Sequence, residues 1–223
     1  MECKFEKFFP FWQSLSEGDR RLLCSHAVAE RFERSRLVHD STGCSGLFLL
    51  VEGRLRVYIL SESGKEITLY RLEPGDVCML AASCVIQSIT FDVFIEAELP
   101  SECYRIDASV FGALSERLPE VKIFALETAV QRFSDVMWVM QQLVFMNMDQ
   151  RLAIFLLDEA GRTGQSTVTL SHDQIARHLG TAREVVSRVL KHMAEDGLLS
   201  VSRGEITLKD KSSLRRLAAP RLQ

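Results

Sequence analysis

From Pro119 to about Met146 the chain contains no glycine, and its apolar residues keep a stricter period than core packing demands. Ile123, Leu126, Val130, Phe133, Met137, Met140 and Val144 step alternately by three and four. Such a pattern lines one seam of a single helix, because 3.5 residues bring an α-helix back to nearly the same side. Residues 119–146 are therefore expected to form one long helix. Pro119 suits its first turn, where a missing N–H removes no helical bond. Ala125, Ala129, Val136 and Leu143 make a second apolar stripe beside the seam. A helix with two apolar faces is either wholly buried in a core, or packs its own domain on one side and an equivalent helix on the other. The strict spacing favours the second arrangement, a parallel homodimer seam.

The period is different before this helix. In "GLFLLVEGRLRVYIL" two strands flank a Glu52-Gly53 turn. Leu55, Val57 and Ile59 alternate with Arg54, Arg56 and Tyr58, which predicts one buried face and one wet face. "SESGKE" and "EPGD" are turns, and "ITLYRL", "SITFDVFIEAEL" and "ECYRID" are further strands. Many short, evenly spaced strands from about Arg31 to Ile106 imply an antiparallel sandwich or roll.

After the long helix the chain reads as helices and a hairpin. Asn147 with Gln150 makes a capping box for a helix that stops near Gly161. "STVTL" is a short strand. Ser171 with Gln174 caps a helix ended by Gly180, and Thr181 with Glu184 is a third possible box. That last helix closes at Gly197, and "LLSVSRGEITL" folds about Arg203-Gly204 into a hairpin. Helix, glycine turn, helix and hairpin make a winged helix-turn-helix, whose second helix enters the DNA major groove. On that helix Val185, Val186, Val189, Leu190 and Met193 form the inner side, leaving Arg183, Glu184, Ser187 and Arg188 to face outward. Arginine can pair with guanine O6 and N7, and glutamate can accept from cytosine N4. Glu184 and Arg188 could instead form an ordinary i,i+4 ion pair.

Composition limits the alternatives. Of 223 residues 47% are hydrophobic, enough for a packed core. No uncharged apolar run approaches 18 residues, and the N-terminus lacks the pattern of a secretory signal, so a cytoplasmic protein with no membrane partner is expected. The net charge is −3, yet residues from Met148 onward carry 12 Lys and Arg against 9 Asp and Glu, a net +3, with −6 on the rest. Any polyanion is therefore expected to meet the back half. The cysteines are Cys3, Cys24, Cys44, Cys78, Cys84 and Cys103, with no C-x-x-C spacing, and are expected to be buried free thiols. An enzyme reading, a cupin-like β-roll, needs an H-x-H, whereas the front half holds only His26 and His39. No nucleophile motif or phosphate loop is present either.

Taken together, "GLFLLVEGRLRVYILSESGKEITLYRLEPGD" and "LSHDQIARHLGTAREVVSRVLKHMAEDGLL" resemble the cyclic AMP receptor and fumarate-nitrate reduction (Crp/Fnr) regulators over nearly the whole chain. The resemblance implies an α+β fold. Residues 1–118 would be an effector-sensing antiparallel β-roll, a jelly roll of the cyclic-nucleotide-binding type. Residues 119–146 would be the dimerisation helix, and 147–223 a winged helix-turn-helix DNA-binding domain. It implies a non-enzymatic homodimer that binds double-stranded DNA and contacts RNA polymerase. Arg183, Glu184 and Arg188 match the R-E-x-x-x-R reading set of the cyclic AMP receptor branch. Glu184, Ser187 and Arg188 match the E-x-x-S-R set of the Fnr branch, and Thr181 opens the same segment. Both branches read half-sites with a TGA core, so the resemblance implies a TGA…TCA inverted repeat. The sensor departs from the family. Met79 and Leu80 stand where nucleotide receptors have Gly-Glu, and Phe91 and Asp92 where they have Arg-Ser. A carboxylate repels a phosphodiester, which argues against cyclic AMP. The absence of clustered N-terminal cysteines argues against an iron-sulfur cluster. The effector is left unassigned. Cys78 and Cys84 fall at the family's effector pocket and could be a redox pair or metal or haem ligands, or simply core residues.

Overall fold

Residues 5–40, 46–79 and 92–219 are described here, in a computed structural model of the chain. The chain divides into two compact units, Met1–Leu60 with Leu69–Val136 and Ser61–Thr68 with Met137–Gln223.

The first unit opens with two short 3-10 turns (Phe5–Lys7 and Pro10–Ser14) and α1 (Glu17–Ser25). There follow β1 (Ala27–Phe32), β2 (Leu37–His39), β3 (Leu47–Glu52), β4 (Leu55–Leu60), β5 (Glu66–Leu72), β6 (Val77–Cys78), β7 (Phe94–Ala97) and β8 (Ser101–Ile106). Then come α2 (Ala108–Arg117) and α3 (Pro119–Phe145). The strands form two four-stranded sheets, ordered β1-β8-β3-β6 and β2-β7-β4-β5. Consecutive strands β3 and β4 lie in different sheets, so the turn between them carries the chain from one layer to the other. Gly53 sits in that turn at φ 91°, where a β-carbon would overlap the Pro100 carbonyl and Ser101.

The continuous apolar run of β3 follows from its being buried on both faces. Phe48 and Leu50 join Leu55, Val57, Ile95 and Cys103 in a core shared by the two sheets. Leu47 and Leu49 point the other way, into a cluster with Phe5, Phe9, Phe11, Trp12 and Phe111. Most of the ring pairs of that cluster meet edge to face, Phe5 and Tyr104 at 5.0 Å for example, while Phe9 and Phe11 stack. The N-terminal aromatics and α2 thus cover the outer face of the first sheet, a role that strand periodicity did not reveal.

Three expectations are corrected in this unit. Arg56 and Tyr58 are not on a wet face: both are buried. Opposite them across the β4–β7 ladder stand Glu96 and Phe94. Arg56 pairs with Glu96 at 3.5 Å and lies over the Tyr58 ring, which stacks on Phe94. These cross-strand pairs make the second face a packed one. In "SITFDVFIEAEL" the described residues from Asp92 on form a strand only over Phe94–Ala97. The cysteines are not all free thiols, because Cys24 is disulfide-bonded. Cys78 and Cys103 are buried thiols.

In α3 the seam residues Ile123, Leu126, Val130, Phe133, Met140 and Val144 are exposed and Met137 is half-buried. Phe124, Ala125 and Val136, on other faces, pack against the clusters of the first unit.

The second unit contains α4 (Met148–Thr163), β9 (Thr167–Val168), α5 (His172–Leu179), α6 (Arg183–Glu195), β10 (Leu199–Ser202), β11 (Glu205–Leu208) and α7 (Lys211–Ala218). The Asn147–Gln150 capping box is formed. α4 runs past Gly161 to Thr163, because the left-handed residue that stops it is Gly164 at φ 67°. Leu152 and Leu156 of α4, Ile175 of α5, Val186 and Leu190 of α6 and Ile206 of β11 share one core. The sheet order is β10-β11-β9. Leu214 of α7 is buried in the same core, so this unexpected helix is part of the unit. Among the described residues no helix is long and apolar enough to cross a membrane.

Candidate nucleic-acid interface

α5 begins with a complete capping box. Ser171 Oγ accepts from the Gln174 N–H at 3.2 Å, and the Ser171 N–H donates to Gln174 Oε1 at 2.8 Å. Gly180 ends the helix at φ 62°, and its N–H and that of Thr181 both donate to the Ala176 carbonyl. An Arg151 guanidinium N–H donates to the Leu179 carbonyl, satisfying another orphan acceptor of the same helix end. The turn between the helices is therefore held from both sides.

α6 starts one residue later than a Thr181–Glu184 capping box requires. Its N-cap is Ala182, extended at φ −89° and ψ 149°, with no side-chain bond to the first turn. Thr181 lies outside the helix and is half-buried. The expected box is thus absent. The inner face is Val186, Val189, Leu190 and Met193, while Val185 is only half-buried.

On the outer face Arg183, Glu184 and Arg188 are exposed. Among the described residues neither Glu184 nor Arg188 has an ion pair, so the i,i+4 pairing that might have explained them is not formed. Arg183 meets Asp173 of α5 at 3.6 Å, with the two side chains 62% and 64% exposed. Such a pair is worth at most about 1 kcal/mol and can be exchanged for another anion. A cation in the first turn also has the wrong sign for the helix dipole, so helix stability does not explain Arg183. Ser187 is half-buried, with its hydroxyl 2.7 Å from His172 Nδ1.

The wing is a two-residue hairpin. Ser202 faces Glu205 across Arg203-Gly204, with Gly204 at φ 78°. Between the wing, the start of α5 and Arg183 lies a cleft of about 280 Å³, lined by His172, Asp173, Arg203 and Glu205 among others. The unit thus offers, among the described residues, an exposed helix face with two charged side chains that have no ion pair, beside this cleft.

Of the pocket residues anticipated from sequence, Cys78, Met79 and Asp92 are among the described residues, and these three are not gathered in one place. Cys78 is fully buried in the core between the sheets, and its Sγ is 3.8 Å from the Tyr70 hydroxyl. Met79 is buried on the opposite side, with the N-terminal aromatics. Asp92 is exposed. Leu80, Cys84 and Phe91 lie outside the described residues. His39 is buried, and burial lowers its pKa, whereas His26 is exposed.

A polar group that sequence reading overlooked lies beside Cys78. Arg132 of α3 sits over the Tyr70 ring at 4.8 Å and pairs with Asp76 at 3.0 Å and Asp135 at 3.1 Å. Burial, followed by the neighbouring Cys78, holds the Tyr70 hydroxyl well above its ordinary pKa. The available signal was Arg132 itself, a cation inside an apolar helix and next to Phe133 of the seam.

Comparison with known proteins matches both units. A cyclic nucleotide-binding domain model covers residues 33–117, and a Crp-like helix-turn-helix domain model covers 150–217. The crystal structure of a transcriptional regulator assigned to the Crp/Fnr family, from Eubacterium rectale, is similar with a TM-score of 0.90 and 38% identity. The match covers 95% of this chain and 99% of that one. The cAMP-activated global transcriptional regulator CRP of Pasteurella multocida is 25% identical over 183 residues, 79% of this chain and 87% of that protein. The transcriptional activator protein anr of Pseudomonas aeruginosa is 26% identical over 185 residues, 79% of this chain and 74% of that protein.

Proposed function

The chain belongs to the Crp/Fnr family of transcription regulators, and from that premise we propose that it is a homodimer that reads a TGA…TCA inverted repeat in double-stranded DNA. The observation that carries this reading is the outer face of α6, where Glu184 and Arg188 project without an ion pair among the described residues. Arg188 takes the guanine through O6 and N7, and Glu184 accepts from the cytosine paired with it. Arg183 and the wing Arg203 reach phosphates, which position the helix without reading sequence. A twofold dimer places two such helices about one DNA turn apart, on one face of the duplex.

Two features outside the winged helix-turn-helix support the rest of the reading. The exposed seam of α3 offers large apolar side chains at heptad spacing, as a paired helix would need. The effector is a molecule other than cyclic AMP, since Asp92 brings an acidic side chain where a phosphodiester needs a donor and Met79 is packed into another core. Titration with cyclic AMP should give no heat and leave DNA affinity unchanged. The protein is a regulator acting on DNA in the cytoplasm, with no catalytic step.

Competition binding with TGA and scrambled duplexes tests the central assignment. Arg188→Ala should lose about 1–3 kcal/mol of discrimination per half-site at the G·C pair. Arg216→Ala, on α7, should at most weaken binding to all sequences alike. An Arg188→Ala protein that kept the full preference for TGA would overturn the assignment.

A further inference from the structure

The hydroxyl of Ser187 on α6 is already engaged in a hydrogen bond. It lies 2.7 Å from Nδ1 of His172, the first residue of α5. A serine hydroxyl has one hydrogen and two lone pairs. What it offers to a base therefore depends on which partner of this bond carries the proton. When imidazole Nδ1 is bare, the Ser187 O–H donates to it, and only lone pairs remain. Ser187 then accepts, matching the amino groups of adenine or cytosine. When Nδ1 carries a hydrogen, it donates to Oγ and the serine proton is released. Ser187 then donates, matching the carbonyl oxygens of thymine or guanine.

We propose that His172 is a specificity-determining positioning residue, which sets through its Nδ1 proton whether Ser187 reads an amino or a carbonyl group in the half-site. The inference rests on the reading that α6 lies in the major groove. Imidazole is the side chain whose charge changes between about pH 5 and 8, so the choice is tied to pH. The charged groups around His172 are Asp173 on its own helix, Arg183 on α6, and Arg203 and Glu205 on the wing. Above the imidazole range the neutral ring carries one hydrogen, and its Nε2–H tautomer, which leaves Nδ1 bare, reads adenine or cytosine. Below it the imidazolium, whose two nitrogens both carry hydrogen, reads thymine or guanine.

The probes are duplexes with fixed TGA…TCA cores and all four base pairs at each flanking position. The position read by Ser187 is the one at which Ser187→Ala relaxes the preference. At that position the wild-type ratio of carbonyl to amino bases should rise about tenfold from pH 8 to pH 6. In Ser187→Ala and in His172→Asn, which keeps a hydrogen-bonding group but cannot titrate, the ratio should be the same at both pH values. Total affinity is not the readout, since an added positive charge raises it for every sequence. A flat wild-type ratio overturns the proposal, as does a pH shift that persists in Ser187→Ala or His172→Asn. Arg188→Ala is run beside them. If it keeps its TGA preference, the groove reading itself has failed. If it loses that preference while the wild-type ratio stays flat, only the role of His172 has failed.

Discussion

Cys103 shows how one buried side chain responds to its surroundings. It is fully inaccessible in the core between the sheets, and burial, then the neighbouring Glu30, pushes its thiol up to about 12. Native Cys103 should therefore resist alkylation at pH 8 and react only once the chain is unfolded. The unfolded chain loses this proton first. Between the ordinary value of 9.0 and about 12 the folded state binds the proton more tightly, so stability falls as pH rises through that window. Denaturant titrations at several pH values should show the decline, and Cys103→Ala should remove its share. Arg56 illustrates the same dependence on neighbours. Its charge is tolerated in a buried position because Glu96 stands opposite it and the Tyr58 ring lies beneath it. Alternation alone assigns such a residue to water, since the partner across the sheet is 40 residues away in sequence.

Among the elements, α6 carries a weakness at its N-terminal end, the end that the proposed reading turns toward DNA. Its N-cap is alanine, whereas α4 and α5 both begin with full capping boxes. Ala182 already has the extended backbone of a cap, so Ala182→Ser should gain about 1 kcal/mol of stability, read from thermal unfolding. An unchanged or lowered stability would mean that a serine there cannot reach the first-turn N–H groups. The expected Thr181–Glu184 box failed for a local reason. Gly180 takes the left-handed conformation and Thr181 still donates to Ala176, so Thr181 closes α5 and does not open α6. The spacing S/T-x-x-E is silent on which of two adjoining helices claims the residue.

For the whole molecule, the proposed dimer rests on the seam of α3. Phe133 is 66% exposed at the middle of the heptad pattern, flanked by Val130 and Met137. Burying a side chain of this size is worth about 1.5–3 kcal/mol. Phe133→Glu would place two carboxylates near a twofold axis, and the protein should sediment as a monomer. A variant that still sediments as a dimer would mean that another surface holds the subunits together. Because the inverted repeat needs two helices held together, the same variant should lose most of its affinity for the paired site while each half-site is still read.

Residue order alone was enough for the succession of sheets, long helix and winged helix-turn-helix, and for the exposure of Arg183, Glu184 and Arg188 on α6. Each is written in short-range signals: a period of 2, 3.5 or 3.6, a glycine at a required left-handed position, a serine or asparagine three residues before a glutamine. Only the tertiary structure decided what depends on residues far apart. It assigned β3 and β4 to different sheets, buried Arg56 and Tyr58, and turned Cys78 and Met79 into separate cores. It brought Arg132 over Tyr70, and Ser187 against His172. The physical reason is that periodicity specifies which face of an element is apolar, whereas a hydrogen bond or an ion pair depends on which other element that face meets.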